Sequence, residues 1–166
     1  MDDLFDINTV IALADGEPPE RAHVNVDHVV NANARTVHHI YKLLQLLYAQ
    51  IYLEGKLRCD DYHEGKNSFD DLGETYGYIN AYVRQEGGTN TFRFCYRRPL
   101  PSGTIFRENL RMNKCGYTRR SFRRAAHEYE VELAMMTEEH FCRLRNYGKT
   151  IKKALRSLRS TTYLKL

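Results

Sequence analysis

Apolar residues recur along this chain at two periods, and the change of period marks the elements. From Arg35 to Leu57 the period is helical. Val37, Ile40, Tyr41, Leu44, Leu47, Tyr48 and Ile51 share a face, and Leu43, Leu46 and Leu53 widen it. So broad an arc predicts a helix buried on more than one side: a central core helix, capped by Asn31 or Asn33. Ahead of it, the loosely alternating residues 24–30 predict a short strand. Behind it, the polar, acidic and Gly-containing residues 58–74 predict a loop.

The period then drops to two. Residues 75–84 put Tyr76, Tyr78 and Tyr82 on one face, with Ile79, Ala81 and Val83 on the other. Residues 91–98 put Phe92, Phe94 and Tyr96 on one face, with Arg93, Cys95 and Arg97 on the other. Gly87-Gly88 between the two runs is a hairpin-turn signal. The aromatic face is expected against the core helix, which sends Arg93 and Arg97 outward. Pro99, Pro101 and Gly103 end the second strand, and residues 104–107 suit a third short one.

A helical period returns from Thr118. Phe122, Ala126, Tyr129, Leu133, Met136, His140, Leu144 and Tyr147 are separated by steps of three and four. Thr118 or Ser121 would cap this long helix, and Gly148 is a natural stop. A short basic helix follows, capped by Thr150, with Ile151, Leu155 and Leu158 facing one way and its cations the other. At the amino end, residues 2–14 are amphipathic, with Leu4, Phe5, Ile7, Val10, Ile11 and Leu13, and the DGEPPE run at 15–20 cannot continue a helix. The expected architecture is α+β: an acidic segment 1–20, then a single domain 21–166. In that domain a central apolar helix packs with a β-hairpin or small antiparallel sheet, followed by a long C-terminal helix and the short basic one.

Charge sharpens this picture. The net charge of the 166 residues is only +4, but residues 1–92 hold 7 Lys/Arg against 15 Asp/Glu, and residues 93–166 hold 18 against 6. The halves are therefore −8 and +12. Arg119, Arg120, Arg123 and Arg124 fall in the first turns of the expected long helix, the end that disfavours cations by about 0.3–1 kcal/mol each. Glu128 offsets Arg124 weakly; an external polyanion would offset all four. Lys149, Lys152, Lys153, Arg156 and Arg159 form a second cluster, and Arg97 adds to the positive surface. The expected function is nucleic-acid binding, to DNA or RNA, chiefly through phosphates; no base-reading element is evident. The alternative is a structural protein whose oppositely charged halves drive self-assembly or capture an acidic partner.

Other chemistry lacks its spacing. Gly148-Lys149-Thr150 ends like a phosphate-binding loop, but Arg143 stands where the first Gly is needed. His127-Glu128 opens like a zinc-protease helix, but Val131 occupies the second His position. The run Cys59-Asp60-Asp61-Tyr62-His63, with Cys95 and Cys115, lacks the paired knuckles of a zinc site. The carboxylates Asp60, Asp61, Asp70 and Asp71 and the bases His38, His39, His63 and His140 form no recognisable catalytic pattern. No enzymatic activity, cofactor or structural metal is expected. The opening Met1-Asp2-Asp3 is acidic where a signal peptide is basic, and the apolar run at 43–53 is too short to span a bilayer. With four scattered cysteines expected to be reduced, an intracellular protein of cytoplasm or nucleus is expected, without a membrane partner.

Overall fold

The computed structural model describes residues 26–70, 77–114 and 116–160, with side chains for 33–69 in the first of these stretches. Helix α1 spans Val26–Asp70. Strands β1 (Ile79–Glu86), β2 (Thr89–Pro99) and β3 (Ile105–Asn109) follow, then a 3₁₀ turn at Arg119–Phe122 and helix α2 (Glu128–Arg159). This is an α+β fold with a long C-terminal helix. The chain divides into two compact units, Met1–Leu43 with Ser157–Leu166, and Leu44–Arg156. The expected segment 1–20, Tyr76 and Cys115 lie outside the described residues.

The hairpin forms as its period demands. Glu86 pairs with Thr89, leaving Gly87 and Gly88 as a two-residue loop. Their φ values of 53° and 68° are the left-handed pair that a tight hairpin of this length needs and that Gly adopts cheaply. Val83 pairs with Phe92, Ala81 with Phe94 and Ile79 with Tyr96, so the expected apolar faces coincide. Strand β3 pairs antiparallel with β2, giving the order β1-β2-β3.

In the larger unit both helices pack on that apolar face. Phe94 is fully buried, with ring centroids 5.2 Å from Tyr117, 5.0 Å from Phe122, 5.4 Å from Phe141 and 6.1 Å from Tyr62. The ring of Phe92 lies where a Cβ on Gly55 would stand, so α1 approaches the sheet at that glycine. From α1 the buried or half-buried stripe is Leu44, Tyr48, Ile51, Cys59 and Tyr62. In the smaller unit Ile40 and Leu43 are exposed, and the Tyr41 hydroxyl accepts from Arg159 Nε at 2.6 Å.

Four local expectations are corrected. Residues 26–30 are helical rather than a strand, and Asn31 and Asn33 lie inside α1 rather than at its start. The helix also continues through residues 58–70, expected as a loop. Lys66 donates to the Gly77 and Ile79 carbonyls and the Tyr62 hydroxyl donates to Ile79 O, which anchors those turns to the sheet. The broad arc of α1 is not buried on several sides: Leu46, Leu53 and Leu57 remain exposed, because one three-stranded sheet covers one stripe. Finally, residues 118–127 are a 3₁₀ turn and bends, in which the Thr118 N–H donates to Ser121 Oγ at 3.1 Å. Helix α2 starts at Glu128, where the carboxylate of Glu130 reaches back to the Ala126 N–H at 2.7 Å.

Gly148 does not stop the helix. It lies in the middle of α2, and the expected short basic helix is its continuation. Ile151 is buried three residues further on, so tertiary packing outweighs the glycine's poor propensity. A Cβ on Gly148 would meet Tyr48 Cε2 at 3.5 Å, an ordinary contact. Gly148→Ala is therefore expected to stabilise the fold by roughly 0.5–1 kcal/mol, read as a higher thermal midpoint. A lower midpoint would show that a break in the helix is needed there.

Candidate functional site

The carboxy-terminal half of α2 supplies the densest cationic feature. Lys149, Lys152, Lys153 and Arg156 recur at helical spacing, so they share one face. They rim an open cleft of about 610 Å³ whose floor includes Tyr48, Thr89, Asn90, Phe92 and Leu144. Tyr48 orders the cleft's edge: its hydroxyl accepts from the Asn90 N–H at 2.9 Å, and its carbonyl accepts from Asn90 Nδ2 at 3.0 Å. Lys152 donates to Thr89 Oγ1 and sits 5.9 Å from the Tyr48 ring centroid. Lys149, Lys153 and Arg156 are exposed and carry no ion pair among the described residues. The cleft also contains Arg145, but that charge is already neutralised by Glu138. Among the described residues, no carboxylate lines the cleft. Cations near the carboxy end of a helix oppose no dipole, so this stripe costs the fold little.

The second feature is the sheet face opposite the core. The register sets Tyr82 beside Arg93 and Arg97 beside Arg107. All three arginines are exposed and without an ion pair among the described residues. The Tyr82 ring lies 5.0 Å from the Arg107 guanidinium and 5.2 Å from that of Arg84. Sequence reasoning assigned Arg97 to the site; Arg107 and Tyr82 were missed, because only the pairing of β1 and β3 with β2 reveals that they share its face.

The cluster at 119–124 is changed by the structure. Its arginines do not burden the amino end of a long helix, since they precede α2 in the 3₁₀ turn and the turn after it. Arg119 pairs with Glu128 and Glu132, which raises its pKa through hydrogen bonds to both carboxylates. Arg124 pairs with Glu108 and lies 5.7 Å from the Tyr96 ring. Internal carboxylates thus meet two of the four charges, and the dipole argument for an external anion falls away. Arg120 and Arg123 remain exposed and line a shallow pocket of about 310 Å³ with Arg111 and Glu108. Arg159 belongs to the smaller unit, its guanidinium 5.5 Å from the Tyr41 ring.

Two buried carboxylates hold the scaffold under these surfaces. Glu130 is fully buried; Oε1 accepts from the Ile79 N–H at 2.7 Å and lies 3.9 Å from the buried Lys66 ammonium. Glu138 accepts from the Tyr117 N–H at 2.9 Å and from Arg145, which also donates to the Phe92 carbonyl at 3.0 Å. Neither carboxylate was legible as a core group, since charge marks a residue as surface.

A smaller pocket of about 320 Å³ gathers Cys59, Asp60, His63, Cys95 and Arg97. Burial pushes the Cys59 thiol up to about 12. His63 Nε2 must be the donor to the Ala81 carbonyl at 3.1 Å, because a carbonyl only accepts. Burial lowers the His63 pKa below its ordinary 6.5, partly opposed by that hydrogen bond and assisted by the nearby Lys66 charge. The unfolded chain takes up this proton near 6.5 while the folded chain resists it. Stability is therefore expected to fall as pH drops below 6.5, until the depressed folded value is reached. His63→Gln should remove that part of the pH dependence in urea titrations at stepped pH; an unchanged dependence would place its origin elsewhere. No group of His, Cys, Asp and Glu suited to holding a metal ion occurs among the described residues. No helix among them is long and apolar enough to cross a membrane.

Compared with protein-family models, curated proteins and solved structures, the chain matches none.

Proposed function

We propose that this chain binds nucleic acid, chiefly through phosphates and without sequence reading. The observation that carries the reading is the stripe Lys149, Lys152, Lys153 and Arg156 around a cleft lined, among the described residues, by no carboxylate. Cations with no internal counter-ion release condensed counter-ions when they meet phosphates, and that release drives sequence-independent affinity. Arg93, Arg97 and Arg107 on the open sheet face, and Arg120 and Arg123 beside the 3₁₀ turn, extend the same chemistry. Phe92 and Phe94 are buried, so these two aromatics serve the core rather than stack on bases.

Titration of labelled duplex across ionic strength tests the reading. With roughly six cations engaged, log K should fall against log salt with a slope near −5. The untreated preparation should also carry excess absorbance at 260 nm that nuclease treatment removes. Absence of binding, or binding indifferent to salt, would overturn the reading.

A further inference from the structure

We propose that the chain is a parallel homodimer joined along the solvent side of α1. Leu46, Gln50, Leu53 and Leu57 follow one another at steps of four, three and four, the spacing of a coiled-coil seam. The three leucines are 62%, 63% and 54% exposed, and Leu47 beside them is 45% exposed. At about 100° per residue this seam lies on the opposite side of the helix from the stripe Leu44, Tyr48, Ile51 and Tyr62 that packs on the core. Such continuous apolar exposure on a soluble surface marks a place where a partner docks.

The flanking residues identify the occupant as a second copy. Glu54 and Asp61 run along one side of the seam and Lys56 along the other, as e and g positions do. Parallel pairing sets Lys56 of each copy against the partner's Asp61, which Arg58 of its own copy also meets at 2.9 Å, and the two-fold axis repeats the contact. Parallel pairing in register also sets Gln50 against the partner's Gln50, where each amide satisfies the other. Antiparallel pairing would instead bury Gln50 against leucine, which leaves a desolvated amide unpartnered. An anionic lipid surface would be repelled by Glu54, Asp60 and Asp61. The seam is short, but α1 is already folded on the sheet, so association bears none of the nucleation cost that makes short isolated helices unstable.

Light scattering of the full chain after nuclease treatment should give twice its 19.5 kDa. The double variant Leu46→Glu/Leu53→Glu should give one copy with unchanged far-UV circular dichroism, because neither side chain reaches the core. Gln50→Cys should form a reducible cross-linked dimer under mild oxidation. Gln45→Cys, exposed but off the seam, should not. The proposal is overturned if the parent is one copy at every concentration, or if the double variant stays dimeric, which would place the contact elsewhere. It is overturned also if Gln45→Cys cross-links in preference to Gln50→Cys. A single-copy parent that the double variant destabilises would mean that the chain's own apolar residues Leu4–Leu13 cover the seam.

Discussion

Glu130→Ala is expected to destabilise the fold by about 3–5 kcal/mol, the range for removing one partner of a buried charge pair. That corresponds to a thermal midpoint lower by roughly 6–20 °C in a chain of this size. Three losses coincide. The Lys66 ammonium, 3.9 Å from Glu130 and 1% exposed, keeps its two carbonyl partners but loses the Glu130 carboxylate. The Ile79 N–H, at the start of β1, loses its acceptor. The Ala126 N–H loses the cap that sets where α2 begins. Each orphaned N–H costs about 1–3 kcal/mol when buried. Lys66→Met should cost less, because Glu130 still holds both N–H groups and Tyr62 still donates to the Ile79 carbonyl at 2.9 Å. Urea unfolding of the two variants checks the ranking; a loss under about 1 kcal/mol for Glu130→Ala would mean that water replaces the carboxylate there.

Replacing Lys149, Lys152, Lys153 and Arg156 together by Ala is expected to weaken duplex binding on the order of a thousandfold at 0.1 M salt, if all four meet phosphates. The salt slope should become shallower by about 3–4. Three of these side chains are exposed, with no ion pair among the described residues, and the fourth bonds Thr89 from the rim, so the core should survive. Ala also favours helix at every position. Truncation after Gly148 is a poorer experiment than the substitution. It removes Ile151, buried in the core, and Leu155, packed against it, so it damages fold and cations together. A folded fourfold variant that binds like the parent would remove the cleft from the site and leave Arg93, Arg97 and Arg107 on the sheet face, with Arg120 and Arg123 beside the 3₁₀ turn, as the remaining candidates.

How far the chain could be read without its fold depended on how local each determinant is. The hairpin was legible because alternation and the Gly87-Gly88 turn act within a few residues. The outward direction of Arg93 and Arg97 followed from the same alternation. The cations at 149–156 were visible as a cluster, and their sharing of a helical face needs only the 3.6-residue turn. Their cleft was not visible, since Tyr48 and Asn90 reach it from elements far away in sequence.

The apolar period of α1 determined that it would be a helix, but not which side of its broad arc meets the sheet; only packing distinguished Leu44, Tyr48 and Ile51 from the exposed Leu46, Leu53 and Leu57. The predicted face of α2 was rotated for a related reason. Met136 and Tyr147 counted as core by hydrophobicity but are exposed, while Glu130 and Glu138 counted as surface by charge but are buried against cations 64 and 7 residues distant. Residue character determines the period of a helix, since that is set by the residues themselves. It does not determine which neighbours are present to satisfy a buried charge or cover an apolar stripe, and those neighbours arrive only with the tertiary fold.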